Sequence, residues 1–140
     1  MVDTTVLVAG LLTSNPNSPT ARIVDAMLAA RFTYLLSFEL LAEYRAVLLR
    51  PKIRKGHGLD DAEVDALLET LARNAAIRVP SPASTPAPDP GDDHLWALLE
   101  SDPLAVLITG DKPLLADPLR PGAVRTPAAF AALVLDPPPS

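Results

Sequence analysis

Asp89 to Leu115 reads DPGDDHLWALLESDPLAVLITGDKPLL. Asp92 stands as an N-cap with Asp93 in the first turn, and Leu95, Leu98 and Leu99 supply an apolar i, i+3, i+4 stripe, which predicts a helix that Asp102-Pro103 ends. Leu104 to Ile108 follows as an uninterrupted apolar run with β-branched members, the pattern of a parallel strand buried on both faces. Thr109-Gly110-Asp111 closes it. In open α/β sheets ligands bind outside the carboxyl ends of the strands, so Asp111 lies where chemistry is expected.

Working outward, Val2 and Asp3 read as a strand that turns into a helix carrying Val6, Leu7, Val8, Leu11 and Leu12. Two residues are few for a central strand, so either the chain starts a few residues late or the strand continues beyond Asp3. Ser18-Pro19, a cap followed by proline at N1, opens a helix through Ile23, Ala26, Met27 and Ala30, and Phe32 to Leu36 reads as the next strand. Ser37 caps a helix with Leu40, Leu41, Tyr44, Val47 and Leu48 inside, stopped by Pro51. Asp60-Asp61-Ala-Glu63 has the form of a capping box, Val64, Leu67, Leu68 and Leu71 complete that helix, and Asp65 and Glu69 fall on its solvated face. Ala76 to Val79 is a short strand, and Pro80 to Pro90 an extended Pro-rich linker, mobile in part. Lys112 to Leu115 forms a loop or single turn, Ala123 to Arg125 a last strand, and Thr126-Pro127 starts a helix with Phe130, Leu133 and Val134. Asp136 to Ser140 is read as a frayed tail. Strands alternating with helices predict one parallel α/β domain over 1–135 with a Pro-rich linker at about 80–91.

The 140 residues include no cysteine, which excludes disulfides and thiolate metal sites and leaves oxygen ligands or His57 and His94 for any metal. No apolar run reaches the roughly 18 residues of a membrane span, and no basic signal start is present, which predicts a cytoplasmic protein. The net charge of −5 weighs against nucleic acid, but four acids gathered in one site would leave the remaining surface close to neutral.

Four acids are not accounted for by a solvated face: Asp3, Glu43, Asp92 and Asp111. Glu39 suits the first turn of its helix, whereas Glu43 sits in mid-helix between Leu40 and Val47, where a carboxylate needs something positive nearby. Arg45, two residues on, faces elsewhere. Four carboxylates at about 5 Å spacing repel by about 3 kcal/mol per pair at an effective dielectric of about 20, so unless several are protonated a cation must offset them. Oxygen-rich sites select Mg²⁺ or Mn²⁺, whose natural work is phosphodiester hydrolysis. Arg50, Lys52, Arg54 and Lys55 concentrate cations in what reads as a turn; a solvated helix end and RNA-backbone docking both fit them.

Asp3-Thr-Thr-Val-Leu-Val, Glu39 to Ile53, Asp89-Pro-Gly-Asp-Asp-His94 and Thr109 to Leu115, in that order and spacing, resemble PIN-domain nucleases, and among them the VapC-like toxins of bacterial toxin–antitoxin pairs. The resemblance runs from Asp3 to roughly Phe130. It implies a three-layer α/β sandwich with a mainly parallel sheet. It also implies a Mg²⁺- or Mn²⁺-dependent endoribonuclease for single-stranded RNA, homodimeric and silenced by a small antitoxin. The family's acidic quartet falls on Asp3, Glu43, Asp92 and Asp111, with Asp93 as the alternative to Asp92 and Thr109 as a supporting hydroxyl. Thr5 stands where the family usually has asparagine, and several strand residues expected before Asp3 are missing.

Two other readings stay open. Asp3-Thr-Thr-Val6 also resembles the opening of haloacid-dehalogenase-type phosphatases, with Asp3 as nucleophile and Asp111 on Mg²⁺, although 140 residues leave little room for that fold's core and cap. A PIN-like module that binds RNA or protein without cutting is the non-enzymatic alternative.

Overall fold

The computed structural model describes residues 1–136. Val2 forms a single parallel bridge to Ile108, flanked by hydrogen bonds from the Asp3 amide to the Ile108 carbonyl and from the Ile108 amide to the Met1 carbonyl. The chain then turns at once into α1 (Thr4–Leu12), so the first strand does not continue beyond Asp3. Helix α1 packs on α2 (Pro19–Leu28), α3 (Phe38–Leu48) and α4 (Pro51–His57). Ser18 and Ser37 cap α2 and α3 as predicted, accepting from the Ala21 and Leu40 amides. The capping box on α5 (Asp61–Asn74) is also present, with both Asp60 and Glu63 bonds made.

Helix α2 is two residues shorter than predicted. Ala29 and Ala30 form its exit turn, with Ala30 at φ 55 and the Arg31 amide reaching back to the Ala26 carbonyl. Asn74, at the end of α5, donates to the Met27 and Leu28 carbonyls at that turn. Gly10 lets α1 and α2 approach closely: a Cβ at that position would stand 2.6 Å from the Thr20 carbonyl oxygen.

All strand pairing is parallel, as the alternation of elements predicts, but it forms two separate two-stranded sheets. β1 (Leu35–Leu36) pairs with β2 (Ala76–Ile77), and β3 (Leu107–Ile108) with β4 (Val124–Arg125). The strands are shorter than their apolar runs, and beside β3 other donors take the carbonyls. Leu104 to Val106 are outside β3, and Leu104 is 87% exposed. Asp102 ties down the Leu104 amide, and the Arg120 guanidinium donates to the carbonyls of Leu99, Asp102 and Ala105, satisfying backbone that a longer strand would have paired. The Tyr44 hydroxyl similarly donates to the Val2 carbonyl.

The basic stretch read as a turn is the helix α4, begun by Pro51 at N1 and closed by Gly58 at φ 70. His57 is structural: its ring nitrogens meet the Leu48 carbonyl and the Leu59 amide. The Pro-rich stretch has no helix or strand before the 3-10 turn Pro90–Asp92, yet it is tied to α6 (Asp93–Glu100). Asp93 accepts from the Ala87 amide, Glu100 accepts from Ser84, and Ala87 is buried.

At the C-terminal end, α7 (Lys112–Ala116) leads to β4 and α8 (Pro127–Phe130). Phe130 is buried, 5.0 Å from the Phe32 ring centroid. The chain then widens into a π-helical turn, Ala131–Leu135, whose i→i−5 bond from Asp136 to Ala131 leaves Leu133 and Val134 exposed instead of in the core. Asp136 does not fray: its carboxylate accepts from both terminal nitrogens of Arg22 at 2.7 Å. Residues 137–140, the rest of the predicted tail, lie outside the described residues. The core joins Leu7, Ile23, Met27, Leu36, Leu40 and Leu98 around these elements in one cluster.

Candidate functional site

Asp3, Glu43, Asp92 and Asp111, from four separate elements, line one cleft of about 520 Å³, with Thr4, Thr5 and Arg50 also on its wall. Asp3 sits at the N-cap of α1, but its side chain caps nothing. It is 6% exposed, and one of its oxygens accepts from Thr109 at 2.6 Å and from Thr5 at 3.3 Å. Burial raises its pKa; the Thr109 hydrogen bond opposes that rise, and the nearby Glu43 charge adds to it.

Glu43, half-buried on α3, has side-chain partners for its mid-helix carboxylate. His94 Nε2 lies 3.4 Å from Glu43 Oε2, while Thr4 donates to the same oxygen at 2.8 Å. Neither contact was foreseen. The doublet Thr4-Thr5 beside Asp3 and the histidine directly after Asp92-Asp93 were the available signals.

Asp92 occupies the N-cap position of α6 without accepting any helix amide. Asp89 instead takes the Gly91 amide at 2.8 Å, which leaves the Asp92 carboxylate free for the cleft. Burial first, then the charges of Asp3, Asp89, Asp111 and Glu43, push the Asp92 pKa up to about 6. Asp93, the alternative in the sequence, points to the Pro-rich stretch through its bond to Ala87 and does not line the cleft. Asp111 caps α7, accepting from the Leu114 amide at a long 3.4 Å, and Thr109 Oγ1 accepts from the Asp111 amide at 3.0 Å. Thr109 thus links two of the four acids. Of the four cations expected to meet RNA, Arg50 lines the cleft, Arg54 pairs with Asp61 at 2.6 Å, and Lys52 and Lys55 are exposed on α4.

Over residues 1–113 the chain matches the PIN domain. It belongs to the PIN domain family. PIN domains are generally nucleases, and the matched span holds all four acids of the cleft. No curated protein and no solved structure gives a significant match. No helix among the described residues of this PIN domain is long and apolar enough to cross a membrane.

The donors of the cleft suit a hard divalent cation: they are carboxylate and hydroxyl oxygens, and burial first, then the neighbouring carboxylates, raise the pKa of Asp92. Among the described residues, no three His, Cys, Asp or Glu side chains are grouped closely enough to form a complete ligand set. That fits Mg²⁺ or Mn²⁺ held by one or two carboxylates, with water and substrate phosphate completing the shell.

Proposed function

We propose that this PIN domain is a Mg²⁺- or Mn²⁺-dependent endoribonuclease of single-stranded RNA, the toxin of a type II toxin–antitoxin pair that acts as a homodimer and is silenced by a small antitoxin. In this reading the two small sheets are halves of the parallel sheet of a three-layer sandwich. The observation that carries the proposal is the convergence of Asp3, Glu43, Asp92 and Asp111 on one cleft with Arg50 at its wall. One or two of Asp3, Glu43 and Asp111 would hold the ion, which when bound would lower the pKa of an attacking water and stabilise the leaving oxygen. Thr109 and Thr4 orient Asp3 and Glu43 through their hydroxyls, as outer partners of ligating carboxylates do. Asp92 orients the water, and Arg50 holds the RNA backbone.

The test is incubation of purified protein, freed of any antitoxin, with single-stranded RNA and Mn²⁺. Cleavage should stop with chelator and in Asp111→Asn. Cleavage that survives the substitution would assign the activity to a contaminant or to another site. A second reading, a PIN-like module that binds RNA or protein without cutting, draws on Glu43 already being engaged by His94 and Thr4. Binding of the same RNA with no cleavage at any Mn²⁺ concentration would favour it.

A further inference from the structure

Beyond Asp111 the acidic cleft opens into a second hollow of about 310 Å³, walled by Thr5, Ala9, Thr20, Gly110, Asp111 and Pro127. Thr5, Ala9 and Asp111 belong to both, so the two spaces adjoin. Their chemistry differs. The acidic cleft has Arg50 and four carboxylates, the equipment for a phosphate and a cation, whereas the second hollow has no cation and one carboxylate, set in methyl groups, a proline ring and threonine hydroxyls. An anionic group would be repelled there. A neutral, flat group with polar edges suits it, since hydroxyls both donate and accept.

Gly110 supplies the second observation. Its φ lies outside the left-handed region, so its backbone does not require glycine, and a Cβ built there would meet no atom within 4 Å. Neither conformation nor internal packing accounts for the missing side chain. Gly110 is exposed and lines the hollow, so the space beside its Cα is open.

We infer that this hollow receives the base of the nucleotide next to the phosphate held in the acidic cleft, with Gly110 as the residue that keeps it open. The inference rests on the nucleic-acid reading of the site and deepens it: charged backbone lies on the Arg50 side and a neutral base on the Gly110 side. A base can enter only if it is splayed out of a helix, so the substrate is single-stranded. The Thr5 hydroxyl donates to Asp3 and the Thr20 hydroxyl shares a bond with Ser18, so what they offer a base edge is their remaining hydrogen-bonding capacity, which makes the hollow a place where one position of the strand is selected.

The experiment is a binding cycle in Ca²⁺, read by fluorescence anisotropy with a labelled RNA hexamer in which each base in turn is replaced by an abasic residue. One position should weaken binding to the natural chain by about tenfold, the scale of emptying a shaped, mostly apolar pocket. Gly110→Leu should weaken the intact hexamer similarly, and the critical abasic position should then cost nothing more. Thr20→Leu, on the opposite wall, should give the same loss of coupling, which guards against a Gly110 variant that folds poorly. Equal abasic penalties in the natural and substituted chains, or no RNA binding by the natural chain, overturn the subsite. A coupling that appears without cleavage in Mn²⁺ leaves the subsite standing and removes the nuclease proposal.

Discussion

Thr109 donates to Asp3 across the joint between β3 and the start of α1, at 2.6 Å and fully buried, and accepts from the Asp111 amide with the same oxygen. Thr109→Val keeps the shape and removes both bonds, leaving a buried carboxylate short of a donor. The expected cost is about 1–3 kcal/mol in urea unfolding. RNA cleavage should fall about 10- to 100-fold, the usual effect of losing the hydrogen-bonding support of a metal ligand. Unchanged stability and cleavage would mean that the bond orients nothing.

The raised pKa of Asp92 has a defined sign. In the unfolded chain the carboxyl titrates near 3.8, while in the folded protein it titrates near about 6, so the native state holds more protons between those values. The favourable contribution is complete below pH 3.8 and is lost as pH rises through about 6. Metal-free Asp92→Asn should therefore melt above the natural protein at pH 7.5 and match it near pH 4. Parallel melting curves across that range would show that Asp92 is not perturbed.

The same titration should shape activity, because a proton on Asp92 weakens its hold on water or metal. Mn²⁺-dependent cleavage should climb with pH, with an inflection that lies below the metal-free Asp92 value of about 6, because the bound cation favours the carboxylate, and that Asp92→Asn removes. An inflection that persists in the variant points to a different group.

Divalent ions should stabilise the fold by binding only the native state. At 100 times its dissociation constant an ion adds about 2.7 kcal/mol, visible as a higher melting temperature. Asp3→Asn should remove most of that gain. A melting temperature indifferent to millimolar Mg²⁺ and Mn²⁺ alike would count against the cleft as a metal centre.

Two backbone positions outside the acidic cleft have opposite expectations. Gly10→Ala forces a Cβ against the Thr20 carbonyl and should cost about 1–3 kcal/mol, since backbone cannot yield as a side-chain tip can. Ala30→Gly, at an exposed left-handed position, should stabilise by about 1 kcal/mol and leave cleavage unchanged. Denaturant midpoints measured side by side would check both.

The sequence by itself determined the parallel alternation of strands and helices, the caps at Ser18, Ser37 and Thr126, the box at Asp60 and Glu63, and the four acids with no solvated face to explain them. Those signals are local: a cap or a periodicity involves residues within one or two turns, and a carboxylate in an apolar stripe is conspicuous where it stands. The lengths of the first strand and of β3 were not legible, because Tyr44 and Arg120, remote in the chain, take the Val2 and Ala105 carbonyls that the apolar runs alone would have assigned to a sheet. Nor was the choice between Asp92 and Asp93, since neighbouring residues on a helix start differ by about 100° in direction, and the bond of Asp93 to Ala87 decides which one turns away. The partners of Glu43, Thr4 and His94, lie 39 and 51 residues away in sequence and meet on one oxygen only after α1, α3 and α6 have packed. Tertiary structure decided these because hydrogen-bond partners are chosen by distance in space, which the order of residues does not state.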